Sequence, residues 1–285
     1  MSVSSTFPLH GAGLGLRRGM FQMLENMSDD GVDFMEIAPE NWIGIGGRFG
    51  RRFSSYAERF PMVAHGLSLS IGSPAPLDTE FVREVGEFLN TYNVRGYSEH
   101  LSFCSDDKGH LYDLMPIPFT EEAAQHVAGR VRQVQDILGF QIALENVSYY
   151  AAPGQEQDEL DFINHVLQDA DCLLLLDVNN IIVNSVNHRY DPFLFLEGLD
   201  LSRTAYIHVA GHYHEAPDLR VDTHGAAVEP EVWSLLARAY ELLGPVPTLL
   251  ERDFNFPPLD ELLAEVDEIR SLQASAPNLG AKQTA

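Results

Sequence analysis

The segment CLLLLDVNNI, residues 172–181, decides the fold. It begins as a nearly continuous apolar run, and polar residues follow directly. Continuous rather than alternating apolar runs are typical of parallel strands that are covered on both faces. Similar segments, each bounded by Gly, Pro or polar residues, recur along the chain at 11–16, 32–39, 61–70, 95–103, 140–148, 203–212 and 247–254. The sequence therefore predicts eight parallel strands.

Segments with helical periodicity lie between these strands. In 78–90 the apolar residues form one stripe and Asp78 is placed to cap the helix, and in 120–138 Thr120 has the same position. The segment between strands six and seven, 182–202, is short and only weakly helical in pattern. Further helices are expected over 158–168, 229–243 and 260–272.

The alternation of strand and helix predicts an α/β protein with a single (β/α)₈ TIM barrel. The strand starts recur about every 34 residues, which is the length of one βα unit. A doubly wound open sheet is the structural alternative, but it rarely needs eight strands of this regularity. We expect an N-terminal extension over 1–7, the barrel over 8–272 and a flexible tail over 273–285.

Composition limits the classes of function. The chain has 18 Lys plus Arg against 42 Asp plus Glu, a formal charge of −24, which argues against nucleic-acid binding because that depends on cationic side chains. The only cysteines are Cys104 and Cys172, too few for a disulfide-stapled secreted protein. No signal peptide or membrane segment is apparent. We therefore expect a cytoplasmic protein.

Polar residues that can bind metals collect at the ends of the predicted strands. In a TIM barrel these ends meet at one mouth, where the chemistry takes place. So many carboxylates and imidazoles at one mouth would be costly to bury without cations. The sequence thus predicts a metal site at the mouth, with candidates Glu36, Glu40, Asn41, His65, Glu99, His100, Glu145, Asn146, Asp177, Asn179, Asn180, His208, His212, Asp222, His224, Glu251 and Asp253.

The ligand types narrow the choice of ion. Imidazole and carboxylate without thiolate suit zinc, iron or manganese. Asp177 and Asn179 are two apart in the predicted sixth strand, so they are expected to share one face, as are His208 and His212 in the seventh. The number of candidates allows two or three ions, with a carboxylate such as Glu145 as a bridge.

Ten ordered blocks over residues 8 to 272 resemble one known family. The chain is similar to the multinuclear non-heme iron-dependent oxidative enzymes. The blocks are GLGLR (13–17), EIAPENW (36–42), HGLSLSIG (65–72), SEHLSF (98–103), DLMPIPFT (113–120), ALENVSYY (143–150), LLDVNNI (175–181), YIHVAGH (206–212), DTHG (222–225) and LLERD (249–253).

The resemblance implies a function and a ligand set. Members oxidise cysteine residues of ribosomally synthesised precursor peptides with two or three iron ions and O2, commonly with a small leader-binding partner protein, and zinc is a possible mis-loaded metal. It implies Asp253 as a proton-handling carboxylate. It further implies a first iron at His65, His100 and Glu145, a second at Glu145, Asp177, His208 and Glu251, and a third position at Asn179, His212, Asp222 and His224.

Three other functions fit parts of the pattern. A multinuclear zinc hydrolase of phosphodiesters uses a similar ligand set, although a charge of −24 disfavours a DNA substrate. A sugar isomerase on the same barrel would want a catalytic lysine, and the only lysines are Lys108 and Lys282. A metal carrier without catalytic activity is the third alternative.

Overall fold

The computed structural model of the protein describes residues 8–277, apart from the side chain of Tyr112. The predicted extension over 1–7 and residues 278–285 of the predicted tail lie outside the described residues. Within them the chain forms a closed barrel of eight parallel strands, so the predicted TIM barrel is confirmed.

The barrel strands follow one another around the barrel in chain order, and the last pairs with the first. All eight neighbouring pairs are parallel. Their carboxyl ends therefore share one rim, which we call the mouth. The strands are β1 (Ala12–Gly15), β2 (Phe34–Ile37), β3 (Met62–Gly66), β4 (Tyr97–His100), β7 (Ala143–Glu145), β8 (Leu173–Asp177), β9 (Thr204–Val209) and β12 (Thr248–Leu250).

Two antiparallel hairpins extend the mouth. One, β5 (Phe103–Ser105) with β6 (His110–Met115), follows β4. The other, β10 (Tyr213–Ala216) with β11 (Leu219–Val221), follows β9. Because both follow carboxyl ends of barrel strands, they form walls around the mouth.

Helices cover the outside of the barrel. Asp78 and Thr120 cap the helices that follow them, as predicted, since their side chains accept hydrogen bonds from backbone N–H groups of the first turn. The helices are α1 (Gly47–Arg59), α2 (Thr79–Thr91), α3 (Glu121–Leu138), α4 (Glu159–Ala170), α5 (Val178–His188), α6 (Pro192–Gly198), α7 (Pro230–Leu243) and α8 (Leu259–Ser275). Four 3₁₀ turns cover Arg18–Met20, Met23–Asn26, Pro39–Asn41 and Leu201–Arg203.

The structure corrects the predicted element limits around strand six. β8 ends at Asp177, so Asn179 does not lie on a strand beside it but in the first turn of α5. The reason is a helix cap, because Asp177 Oδ1 accepts a hydrogen bond from Asn180 N at 2.6 Å. The weakly helical segment 182–202 contains most of α5 and all of α6.

Three further limits differ from the sequence interpretation. β9 ends at Val209, so His212 does not share a strand face with His208. α1 was not predicted, because only Gly50, Phe53 and Tyr56 of its residues are buried. α8 continues to Ser275, past the predicted end of the barrel at 272. No helix among residues 8–277 is long and apolar enough to cross a membrane.

Candidate metal centre

Alternate residues of the barrel strands build two layers inside the barrel. The lower layer is mainly apolar, and the upper layer, nearer the mouth, is polar because every barrel strand except β1 carries an acid or a histidine two residues further on. All the upper-layer side chains named here are at most 5% exposed. The lower layer includes Phe34, Val63, Ala143, Leu175, Tyr206 and Leu249, and the upper layer holds Glu36, His65, Glu145, Asp177, His208 and Glu251.

β1 contributes glycines to the interior. A Cβ atom on Gly13 would lie 2.6 Å from the ring of Phe34, so only glycine leaves this aromatic ring its place in the lower layer. Two residues beyond the end of the strand, Arg17 reaches the rim of the upper layer. Its side chain is 24% exposed and forms ion pairs with Glu251 and Asp253.

His65, His100 and Glu145 meet at one point. The Nε2 atoms of the two histidines are 3.1 Å apart, and Glu145 Oε2 lies 2.9 Å from His65 Nε2 and 3.4 Å from His100 Nε2. His100 Nδ1 donates to the carbonyl of Gly66 at 2.9 Å. Since the proton of a neutral imidazole is then on Nδ1, the lone pair of His100 Nε2 points into the cluster, as a metal ligand requires.

A second group lies on the other side of Glu145. His208 Nδ1 is 3.1 Å from Glu251 Oε2 and 4.0 Å from Asp177 Oδ2. Its Nε2 donates to Glu36 Oε2 at 2.8 Å, and Tyr206 donates to the same oxygen. Glu36 therefore orients the ring of His208 so that Nδ1 faces the acids.

His224 extends this group toward solvent. Its Nε2 is 2.7 Å from Asp222 Oδ1, and its Nδ1 is 3.5 Å from Glu251 Oε2 and 3.3 Å from Asp253 Oδ2. The backbone φ of His224 is 51°, a left-handed conformation that is uncommon for a residue with a side chain and is found at functional sites. Arg17 binds both Asp253 Oδ1, at 2.6 Å, and Glu251 Oε1, at 3.1 Å.

His212 reaches this cluster only through Asn179. His212 Nδ1 lies 2.8 Å from Asn179 Oδ1, and Asn179 Nδ2 donates to Asp222 Oδ1 at 2.9 Å. On the far side of the ring, His212 Nε2 is 3.8 Å from a carboxylate oxygen of Glu229. Glu229 in turn lies 2.6 Å from His214 Nε2. The four residues of the predicted third position are thus connected, with Glu229 behind His212.

Burial and neighbouring charges shift the pKa values of these groups in opposite directions. Burial lowers the pKa of His100 to about 4, and His65 adds to the effect. Burial raises the pKa of Glu145, but His100 and His65 outweigh it and bring it to about 2. Burial, with Glu145 and Asp222 nearby, holds the pKa of Asp177 well above its usual range.

Glu251 behaves like Glu145. Burial raises its pKa, but His208 and His224 outweigh burial and hold the pKa well below its usual range. The acids of the cluster therefore compete for its positive charge in the absence of a metal cation, and Asp177 is the one whose pKa is raised.

Unpartnered buried atoms show that the cluster fits metal ions. Glu145 Oε2, Asp177 Oδ2 and His208 Nδ1 have no hydrogen bond of acceptable geometry within residues 8–277, although all three are buried. One ligand atom from each of the three residues lies within 4.8 Å of the other two. Atoms bound to one ion at about 2.0–2.2 Å have comparable separations. The same spacing holds for His65–His100–Glu145, Glu36–His208–Glu251 and Asp177–His224–Glu251.

A cavity of about 770 Å³ leads from the mouth to this cluster. His100, Glu145, His224 and Asp253 line its inner part. Leu111 and Leu114 of the β5–β6 hairpin line its outer wall. Cys104 also lines the cavity, but it belongs to none of the ligand groups among the described residues, and Cys172 is buried elsewhere. The donor set is therefore nitrogen and oxygen alone.

The remaining strand-end candidates have other roles. Glu40 Oε1 accepts hydrogen bonds from the backbone N–H groups of Leu67 and Ser68, Asn41 lines the cavity, and Glu99 binds the hydroxyl of Tyr97. Asn146 and Asn180 make backbone hydrogen bonds that hold the end of β8, with Asn180 Nδ2 also donating to Glu145 Oε1.

Sequence reasoning missed two residues of the centre and the role of a third. Glu36, two residues after Phe34 in the upper layer, is predicted as a strand-end candidate but not as the residue that orients His208. Arg17 occupies the corresponding place beyond β1. Glu229, at the start of α7, carries no sequence signal for a role here, because its proximity to His212 depends on how the loop after β11 folds.

The chain matches known proteins over nearly its whole length. The family model described as RiPP precursor modification enzyme MbnB/TglH/ChrH matches residues 11–274, where RiPP denotes a ribosomally synthesised and post-translationally modified peptide. A UPF0276 protein of Shewanella sediminis is 57% identical over 94% of this chain and 96% of that protein. One from Pseudomonas aeruginosa is 53% identical over 92% of each chain.

Solved structures share the fold at low identity. A xylose isomerase domain protein from Planctomyces limnophilus has a TM-score of 0.60 at 13% identity, covering 94% of this chain and 98% of its own. Endonuclease IV from Thermus thermophilus has a TM-score of 0.59 at 16% identity, covering 93% of this chain and 100% of its own. At these identities the likeness shows the TIM barrel alone.

Proposed function

Because the chain belongs to the family of RiPP precursor modification enzymes that includes MbnB, TglH and ChrH, we propose that it oxidises cysteine residues of a precursor peptide with two or three iron ions and O2. The observation that carries the proposal is the convergence of unpartnered, buried nitrogen and oxygen atoms on both sides of Glu145. A donor set of imidazole and carboxylate, without thiolate, suits iron.

The geometry supports a specific distribution of ligands. His65, His100 and Glu145 would hold one ion, and Glu145, Asp177, His208 and Glu251 a second. Glu145 would bridge the two, since it belongs to a ligand group on either side. Asn179, His212, Asp222 and His224 would surround the third position.

Iron supplies the redox chemistry by which O2 oxidises the thiol-bearing residue. The chain's own residues position the peptide and handle protons. Burial raises the pKa of Asp253, but Arg17 outweighs it, so the net pKa lies below its usual range and the carboxylate is ionised at neutral pH. Asp253 lines the cavity, and we assign it the role of accepting a proton from the bound substrate. Arg17 holds it in place.

The surface around the mouth supports a peptide substrate. Most of the exposed large hydrophobic side chains lie in segments that follow the carboxyl ends of barrel strands. Such patches are typical of surfaces that bind other chains. The residues at the mouth are Ile45, Phe49, Leu67, Leu111, Met115, Tyr150, Tyr213 and Phe254, and those elsewhere are Phe140, Phe193 and Leu194.

Two further parts of the proposal concern the cell. By similarity to the family, a small partner protein that binds the leader of the peptide would recruit the substrate. Both cysteines are free, which suits a reducing compartment, and we propose that the enzyme acts in the cytoplasm.

Metal replacement tests the proposal against its alternatives. Protein purified without oxygen and loaded with ferrous iron should consume O2 only when a cysteine-containing peptide is added, whereas zinc-loaded protein should be inactive. Phosphodiester hydrolysis by the zinc form would instead support a hydrolase.

Sugar isomerisation lacks support because Lys108 lies exposed at the tip of the β5–β6 hairpin, away from the cavity wall.

A further inference from the structure

A basic and aromatic surface lies beside the mouth, at the start of α1. We call it the α1 surface and define it by Ile45, Arg48, Phe49 and Arg51. Ile45 is 39% and Phe49 50% exposed, and both arginines are exposed. No Asp or Glu occurs between residues 41 and 57, which carry three arginines, in a chain of net charge −24. The surface is therefore an exception to the acidic character of the molecule.

The two exposed arginines are not used inside the protein. Arg52, on the same helix, lies 3.4 Å from Glu25, and Arg59 lies 2.8 Å from Asp29. Arg48 and Arg51 form no ion pair with any acid within residues 8–277. Their charges are available to a partner.

The α1 surface is continuous with the cavity. The guanidinium of Arg18 lies 4.9 Å from the ring centre of Trp42 and 5.7 Å from that of Phe49. Arg18 also donates to the carbonyl of Asn41, and Asn41 lines the cavity. Stacked side chains thus connect the cavity wall to Phe49 without a gap.

A groove runs along the outer side of the same helix. It has a volume of about 530 Å³, and Ile45, Arg51, Glu58 and Tyr92 are among its lining residues. It presents apolar and aromatic side chains with one cation and one acid, so the unpaired positive charge of the α1 surface lies at Arg48 and at the Arg51 end of the groove. In contrast, the cavity wall carries Glu40, Asp113 and Asp222, which would repel an acidic segment.

We propose that the α1 surface binds an acidic segment of the same peptide whose cysteine enters the cavity, with apolar side chains of that segment on Ile45 and Phe49. The identity of the occupant rests on the proposed function, whereas its acidic character rests on the charge of the surface. Complementary charge sets the register and speeds encounter, so the arginines would direct the peptide along α1 toward the mouth.

Fluorescence anisotropy with two labelled peptides tests this inference on the full iron-loaded chain without oxygen. The acidic probe carries six Asp or Glu residues interleaved with Leu and Phe, then a Gly-Ser linker and one Cys. The neutral probe has Asn and Gln in place of the acids. We expect the acidic probe to bind at least tenfold more tightly, and Arg48→Glu/Arg51→Glu to weaken it at least tenfold.

The single charge reversal Arg51→Glu has a matched control in Arg95→Glu, which changes the net charge by the same amount. Arg95 is also exposed but lies just before β4, at the opposite end of the barrel, so its variant should bind within twofold of the wild type. Equal weakening by both single variants, or equal binding of both probes, would overturn the inference. So would anionic vesicles of phosphatidylglycerol that bind through Arg48 and Arg51 while the acidic probe does not.

The outcome is separable from that of the proposed function. Arginine-dependent binding of the acidic probe without O2 consumption would remove the oxidative function and leave the docking surface. If the protein consumes O2 with a cysteine peptide whose binding does not depend on Arg48 and Arg51, the oxidative function is supported and the docking surface is refuted.

Discussion

Replacing Asp177 with Asn should have opposite effects on the metal-free and the metal-loaded protein. The side chain is fully buried, and its Oδ1 caps α5, a role that Asn also fulfils. The substitution therefore changes mainly Oδ2, which faces the cluster without a hydrogen bond among the described residues.

In the metal-free protein the variant should be more stable at pH 7. Burial, Glu145 and Asp222 raise the pKa of Asp177, so the folded state keeps a proton that the unfolded chain releases near pH 3.9. Stability contributed by this carboxyl group therefore falls as pH rises above that value. Asn carries no titratable group, so the variant avoids this loss, which grows by about 1.4 kcal/mol for each pH unit between the unfolded and the folded pKa.

In the loaded protein the same substitution removes a ligand. Asp177 belongs to the group Glu145–Asp177–His208, so the second ion position loses one donor. Each tenfold loss of metal affinity lowers the stabilisation by bound metal by about 1.4 kcal/mol. We expect a net destabilisation once the ions are saturating for the wild type.

Thermal and urea denaturation at pH 5 and pH 7, with chelator and with ferrous iron, measure both effects. The stability that metal-free Asp177→Asn gains over the wild type should be smaller at pH 5 than at pH 7. The control is Asp191→Asn, which replaces an exposed cap of α6 and should shift stability by less than about 0.5 kcal/mol in both states. A variant that is less stable in both states, or more stable in both, would refute the reasoning.

Three further outcomes are expected. His100→Ala should abolish both iron content and turnover, whereas His126→Ala, whose imidazole binds the carbonyl of Ser73 away from the cluster, should change neither in metal analysis and O2 uptake. Glu229→Ala should weaken the third ion about 10- to 100-fold because it removes one of the two carboxylates, with Glu231, that lie 3.8 Å from His212 Nε2, and titration with iron should still fill two positions; an unchanged third affinity would count against it. Burial raises the pKa of Glu159 to about 7, so wild-type stability should fall by about 2.4 kcal/mol between pH 5 and pH 7.5 relative to Glu159→Gln in urea denaturation, and parallel pH curves would contradict this.

The barrel could be predicted because each strand is marked by composition. The run CLLLLD and its seven counterparts are covered on both faces, so they are apolar throughout and end abruptly in polar residues. The end of β8 could not be predicted in the same way. The segment VNNI, with two asparagines between apolar residues, fits the end of a strand as well as the start of a helix, and only the capping geometry of Asp177 shows that a helix has begun.

The sequence predicts which residues form the polar layer, but it does not predict how their side chains are oriented. Counting two residues from a buried position finds Glu36, His65, Glu145 and His208. That Glu36 orients His208 depends on the position of its carboxylate, whose Oε2 accepts hydrogen bonds from both His208 and Tyr206. The position of His212 depends on loops, whose paths the strand pattern does not determine.

The most direct measurement is anomalous diffraction at the iron edge from crystals of the iron-loaded chain. We expect one peak within about 2.3 Å of His65 Nε2, His100 Nε2 and a Glu145 oxygen, and a second between Glu145, Asp177, His208 and Glu251. Absence of both peaks from crystals of protein that turns over its peptide would contradict the proposed centre. So would iron bound only at other residues.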